Sequence, residues 1–292
     1  MTKLEDFLKQ SLRESTAKNY KYIIEKYLKS NPYASKYNYQ KVMQHIGMLR
    51  PLLTPLSLNR EVAAIKKYYD YLIEIGKRKD NPARAIKLKD AKEKPIQLQN
   101  LLTQKELETL LVPRVERYPF LAKRNQIIMS LLVHQALRIG EIQNIKLTDL
   151  DLEKATVQIH QTGLTNSRNL PLQASQILLL HHYINQDREQ LKTWRDNKNA
   201  LLLGKLGTPI TTEDISYLIS TYNKAPFGGL GARKLTALVI RQSVIANLLA
   251  KNNDLRVVQY FAGHKSPDTT EKYRQTGLNA LKVAINKMHP LQ

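Results

Sequence analysis

Apolar positions recur at helical spacing through most of the chain and alternate in one short stretch. Ser15 or Thr16 is placed to cap a helix in which Tyr20, Ile23, Ile24, Tyr27 and Leu28 share a face, and Asn31-Pro32 ends it. A second helix is predicted over 40–49. A third, capped by Ser57, turns Val62, Ile65, Tyr69 and Leu72 inward and stops at Gly76 and Asn81-Pro82. Residues 87–100 carry no helical stripe and contain Pro95, which reads as an extended basic stretch. The helical pattern restarts at Thr103-Gln104-Lys105-Glu106, a capping box in which Thr and Glu satisfy each other's free backbone amides. The expected organisation is a helical domain over 1–95, a linker over 96–102 and a second domain over 103–292.

Within the second domain, residues 155–161 and 168–172 alternate on either side of Gly163-Leu164-Thr165-Asn166-Ser167, the signature of a β-hairpin. A helix near 173–192, a turn at Gly204–Pro209 and a helix capped by Thr211 or Thr212 follow. The Gly228-Gly229-Leu230-Gly231 loop lacks both the spacing and the preceding strand of a dinucleotide fingerprint. The predicted fold class is mainly α with a small β-hairpin or sheet, in two domains.

Composition narrows the chemistry. The 292 residues are 42 % hydrophobic, enough for a sizeable core, and contain no cysteine, which excludes disulfides, thiolate metal sites and cysteine nucleophiles. Apolar runs fall short of the roughly 18 residues of a membrane span. The opening MTKLEDFLKQ has no apolar centre and reads against a secretory signal, so a cytoplasmic location is expected. The 46 Lys and Arg against 25 Asp and Glu give a net charge of +21, spread along the chain. Such a surface suits a polyanion, DNA or RNA, because each neutralised phosphate releases counterions.

Three segments carry candidate chemistry: Ala136-Leu137-Arg138-Ile139-Gly140-Glu141; Arg241 within Leu238-Val239-Ile240-Arg241; and Gly263-His264 followed by Thr270-Glu271-Lys272-Tyr273. Singly, each has an ordinary structural explanation: a salt bridge, a turn, a packed ring. Their order and spacing together resemble the tyrosine recombinase, or phage integrase, family. Arg138 and Glu141 match its first box, Arg241 the arginine of its second, and His264 the histidine of its Gly-His pair. Tyr273, nine positions after His264, stands at the register of the family's nucleophile. The helix at 15–28, the Ile65–Leu72 helix, Asn81-Pro82 and the Thr103 capping box resemble the family's core-binding (SAM-like) domain and the junction after it.

The resemblance implies DNA strand exchange through a 3′-phosphotyrosine intermediate, with no cofactor and no metal. Arg138 and Arg241 would clamp the nonbridging oxygens of the scissile phosphate, since planar guanidinium forks match an anionic oxygen pair. Glu141 would support Arg138. His264 would hydrogen-bond a phosphate oxygen or assist proton transfer. A free phenol ionises near about pH 10, so Tyr273 needs those cations to attack. The implied partner is double-stranded DNA, held in a two-domain C-shaped clamp by a homo-oligomer, a tetramer on two DNA sites, on the nucleoid. Lys66, Lys67, Arg168 and Lys234 are weaker candidates for DNA contact; a solvated face is the alternative for the two adjacent lysines.

Two family features are missing. The hairpin turn has no lysine to protonate the leaving 5′-oxygen, and Lys154 and Lys205 lie out of register. The second box opens with Leu238 where the family has His or Lys; Lys234 lies one turn earlier. Loss of a general acid costs about 10²–10⁴ in rate. Two readings therefore stand beside each other: a recombinase of a mobile element or replicon with an atypical active site, and a catalytically impaired DNA-binding relative serving directionality, replication or partition. A type IB topoisomerase shares the chemistry but not the amino-terminal domain. The stripe Leu278, Leu281, Ala284, Ile285 and Met288 is expected to pack on its own domain or on a neighbouring subunit.

Overall fold

The chain divides into two compact units, Met1–Lys94 and Pro95–Gln292, each with its own large hydrophobic core among the described residues. The computed structural model describes residues 3–89, 96–191, 199–223 and 233–274. The Gly228–Gly231 loop, the 278–288 stripe and part of the basic stretch before Ile96 lie outside the described residues. Among the described residues no helix is long and apolar enough to cross a membrane.

The first unit contains four α-helices among the described residues: α1 (Leu4–Ser11), α2 (Glu14–Ser30), α3 (Tyr39–Leu49) and α4 (Pro55–Glu74). The predicted faces are the buried ones: Ile23, Ile24 and Tyr27 of α2 meet Val62, Ile65, Tyr69 and Leu72 of α4 in one core. The core's polar atoms are satisfied internally. The Tyr27 and Tyr69 hydroxyls lie 2.9 Å apart, and Tyr69 donates to the Ala34 carbonyl at 2.9 Å. The starts differ from expectation. α2 begins after Arg13, with no side-chain cap, because Ser15 and Thr16 fall inside its first turn. α4 is capped by Thr54, whose hydroxyl accepts from the Ser57 N–H, and Pro55 supplies a preset first turn. Gly76, at φ 71°, ends α4 in the left-handed conformation.

The second unit opens earlier than the expected boundary. Ile96 packs against a small cluster around Tyr273, Leu102 is buried, and the Leu102 N–H donates to the Ser243 hydroxyl at 2.8 Å. Residues 96–102 thus contribute to the second unit's packing. The predicted capping box of Thr103 and Glu106 starts α5 (Gln104–Thr109). Then come α6 (Ala122–His134) and α7 (Ile139–Gln143). A three-stranded antiparallel sheet follows in the order β1 (Leu150–Asp151), β2 (Thr156–Ile159), β3 (Arg168–Pro171). Val157 pairs with Leu170 and Ile159 with Arg168, so the alternating inward face carries Val157, Ile159, Leu170 and also Arg168. The helix expected near 173–192 is α8 (Ala174–His182), a π-helical turn at Tyr183–Asp187, and α9 (Arg188–Leu191). Thr211 caps α10 (Thr212–Thr221). Among the described residues α11 (Ala237–Ala250), α12 (Leu255–Ala262) and α13 (267–274) follow. α6 and α11 pack together in its core.

Candidate active site

Ala136 turns the chain out of α6 at φ 49°, a left-handed conformation that costs an alanine about 1–2 kcal/mol. That turn delivers Arg138 to the amino-terminal cap of α7, where Glu141 reaches back and accepts from the Arg138 N–H at 2.8 Å. The Arg138 guanidinium is left differently: its Nε is buried with no hydrogen-bond partner among the described residues. A buried, unsatisfied cationic donor is unfavourable unless an anion completes it.

Glu141 holds Arg138 through the main chain and gives its carboxylate to other partners. Arg168 Nη1 and Nη2 donate to Oε1 and Oε2 at 2.8 and 3.1 Å, and the Thr165 hydroxyl donates to Oε1 at 2.7 Å. Burial pushes the Glu141 carboxyl up, but the Arg168 guanidinium and the surrounding donors outweigh it and hold the group below the ordinary carboxylate range. Arg168 also donates from Nε to the Phe261 carbonyl at 2.8 Å. Only 2 % exposed, this weak candidate for DNA contact is turned inward beside Leu170 by the alternation of β3 and is committed to Glu141. Gly263 fits against it closely. A Cβ there would lie 2.6 Å from Arg168 Nη1, and its φ of 67° already favours glycine.

Arg241, on α11, ties this turn to the end of α12. Its Nη1 donates to the Ala136 carbonyl at 2.5 Å and its Nη2 to the Ala262 carbonyl at 2.6 Å. Burial, then the neighbouring Arg138 charge, pulls its ionisation down to about 10, still protonated at neutral pH. Gly263 ends α12 and presents His264, which bridges to Thr165 of the hairpin loop. The His264 Nδ1 lies 2.9 Å from the Thr270 hydroxyl. Burial and then Arg241, Arg138 and Arg168 push the imidazole down to about 3, so it is neutral. The Tyr273 ring lies parallel to it, with centroids 6.1 Å apart and planes inclined by 12°. Ile245, Val258 and Ala262 surround Tyr273. Burial pushes its phenol up; Arg241, Arg138 and a hydrogen bond with Gln242 oppose that. The structure therefore brings two guanidiniums, an imidazole and a phenol from three segments of the chain into one locality. Thr165 and Gln242, which are not candidates in the sequence, belong to the same locality, and Thr270, of the Thr-Glu pair before Tyr273, joins them through His264.

Residues 100–278, more than half of the chain, match the sequence model of the phage integrase family. The chain belongs to that family. Tyrosine recombinase XerC of Myxococcus xanthus is 30 % identical over 250 residues, covering 84 % of this chain and 80 % of that protein. Tyrosine recombinase XerC of Bacillus pumilus is 28 % identical over 241 residues, covering 82 % and 76 %. Among solved structures, the Tn1549 transposon integrase in complex with a circular intermediate DNA superposes with a TM-score of 0.68 at 16 % identity, covering 94 % of this chain and 95 % of that one. The lambda integrase dimer bound to a COC′ core site gives a TM-score of 0.68 at 17 % identity over 93 % and 75 %. The fold is that of the tyrosine recombinases, mainly helical with a small antiparallel sheet.

Leu238, three positions before Arg241 on α11, is 56 % exposed. Lys234 is exposed just before α11. The hairpin loop places Thr165 against Glu141 and the Asn166 N–H on the Gly263 carbonyl at 2.9 Å, and it carries no lysine. The lysines proposed for DNA contact in the first unit have partners of their own. Lys66 Nζ donates to the Ile86 carbonyl at 2.6 Å, and Lys67 Nζ donates to the Ser11 hydroxyl at 3.4 Å and lies 6.0 Å from the Phe7 ring centroid.

Proposed function

We propose that this chain is a site-specific DNA recombinase that cleaves and rejoins double-stranded DNA through a 3′-phosphotyrosine link. The observation that carries the reading is the convergence of Arg138, Arg241, His264 and Tyr273, with Arg138 Nε buried and unmatched. A scissile phosphate in that place completes the Arg138 donor. The paired guanidiniums take up charge as the phosphorus becomes pentavalent, and they favour the phenolate over the phenol. The Tyr273 oxygen forms a bond to phosphorus, the bond to the 5′-oxygen breaks, the phenolic proton leaves and the 5′-oxygen gains one. The ester conserves the bond, so a second 5′-hydroxyl reverses the step without a nucleotide cofactor. Relatives named as tyrosine recombinases, and neighbours solved on DNA, support the reading.

A homo-oligomer, a tetramer on two DNA sites, belongs to the same proposal, as does residence on the nucleoid. The specific roles are Arg138 and Arg241 on the phosphate, His264 beside it, and Glu141 with Arg168 as the buried frame. A duplex of the cognate site nicked beside the cleavage position should trap a covalent adduct that Tyr273→Phe abolishes. No adduct from the wild-type chain on its own site overturns the reading.

A second reading rests on the exposed Leu238 and the lysine-free hairpin loop: a catalytically impaired relative that binds DNA. It predicts a footprint unchanged by Tyr273→Phe and no adduct under any condition.

A further inference from the structure

Thr270 and Tyr273 stand three residues apart on α13, so the helix that carries the phenol also carries the hydroxyl that meets His264. Thr270 is completely buried, and His264 is 3 % exposed. Their contact, 2.9 Å from Thr270 Oγ1 to His264 Nδ1, holds one proton, and either atom can be its source.

The surroundings decide between the two. Among the described residues the Thr270 hydroxyl has one partner, His264 Nδ1. If Nδ1 carried the imidazole proton and donated it to Oγ1, the threonine hydroxyl would be left buried with its own proton unaccepted. If the hydroxyl donates to a bare Nδ1, both groups are satisfied. Buried polar groups resolve such choices towards full pairing. The imidazole, neutral among Arg241, Arg138 and Arg168, has a single ring proton to place. With Nδ1 bare, that proton is on Nε2, which has no partner among the described residues.

We propose that Thr270 is a positioning residue: its hydroxyl donates to Nδ1 and fixes the His264 proton on Nε2, so that His264 meets the scissile phosphate as a hydrogen-bond donor and not as the base that deprotonates Tyr273. The proposal rests on the recombinase reading for its substrate, but not for its tautomer. It divides the work of the site. Arg138, Arg241 and the Nε2–H bind nonbridging oxygens, all three as donors to a developing negative charge. The phenolic proton leaves to solvent as the Tyr273–phosphorus bond forms. The 5′-oxygen takes a proton from solvent as its bond to phosphorus breaks, which balances the step without a further reactant.

The test is nitrogen NMR of the full-length chain with labelled histidine, read between about pH 5 and 8. The wild type should show His264 with a bare Nδ1, a protonated Nε2, and a slowly exchanging Thr270 hydroxyl proton correlated with Nδ1. Thr270→Ser should keep all three features. Thr270→Val should lose the single ring state and slow adduct formation on nicked DNA by about 10–100-fold, the scale of one transition-state donor, while DNA affinity stays within about twofold. A proton on Nδ1 in the wild type overturns the proposal, and this measurement does not depend on whether the valine variant folds. Thr270→Ser that fails to preserve the ring state also overturns it. The two layers fail separately: a bare Nδ1 in a chain that forms no adduct keeps the tautomer and sinks the recombinase, whereas a protonated Nδ1 in a chain that forms adduct does the reverse.

Discussion

Arg168 and Glu141 form a two-pronged ion pair whose side chains are 0 % and 1 % exposed, and the pair joins the hairpin, the first arginine turn and the end of α12. Such a pair is costly to form but more costly to halve. Arg168→Met should destabilise the protein by about 3–5 kcal/mol by leaving the Glu141 carboxylate unmatched. The double variant Arg168→Met with Glu141→Gln should lose less than the sum of the singles. Urea unfolding of the four proteins measures the coupling, and strict additivity would refute it.

The same pair gives an acid-side dependence. The Glu141 carboxyl is depressed in the folded chain, so the unfolded chain binds its proton first as pH falls. Its contribution is complete above the ordinary carboxylate range and is lost as pH falls through the lowered folded value. His264 acts in the same direction higher up. Its folded value is about 3 against an ordinary 6.5, so stability should fall by about 1.4 kcal/mol per pH unit over most of that interval. His264→Asn should flatten the stability profile between those two values. A profile unchanged by that substitution would show that His264 is not held neutral.

The two arginines should separate stability from cleavage. Arg241 has two backbone carbonyls as partners, so Arg241→Ala should cost about 2–4 kcal/mol as well as adduct formation. Arg138 brings a buried, unpartnered Nε, so Arg138→Ala should leave the melting temperature nearly unchanged or raised while abolishing adduct. A large loss of stability in Arg138→Ala would mean its guanidinium holds the fold together and does not await a phosphate.

Two glycines give opposite signs. Gly263 is left-handed and pressed against Arg168, so Gly263→Ala should destabilise by about 2 kcal/mol or more and disturb the His264 ring. Gly47, within α3, faces open space, and Gly47→Ala should stabilise by roughly 0.5–1 kcal/mol. Thermal melts of the pair check both.

What was legible from the sequence was periodic or local. The faces of α2 and α4 follow from apolar spacing, and the Thr103 capping box from four consecutive residues. What was missed depends on contacts across the chain. Thr270 is legible as half of the Thr-Glu pair before Tyr273, but its contact with His264 exists only once α12 and α13 meet, and Gln242 is an ordinary neighbour of Arg241 until Tyr273 packs there. Arg168 was misjudged for another reason. It was a weak DNA-contact candidate by resemblance, whereas the alternation of β3 buries it beside Leu170, where Glu141, on another element, pairs with it. The strand β1 spans two residues, too few for alternation to register.

The exposed Leu238 offers the sharpest test of how much activity the site retains. It lies one helical turn before Arg241 on α11, within a long side chain's reach of that residue's neighbourhood. Its 56 % exposure means a polar replacement displaces little packing, and Leu238→His should change stability by no more than about 0.5 kcal/mol. A general acid or an added phosphate donor at that place is worth about 10²-fold or more in rate. Leu238→His should therefore speed adduct formation on nicked DNA by about 10-fold or more, with a new ionisation in the pH–rate profile near the usual histidine value of about 6.5. A rate and profile identical to wild type would leave solvent as the proton source at this position. Loss of rate without loss of DNA affinity in Lys234→Ala would instead make the exposed lysine before α11, and not solvent, the donor.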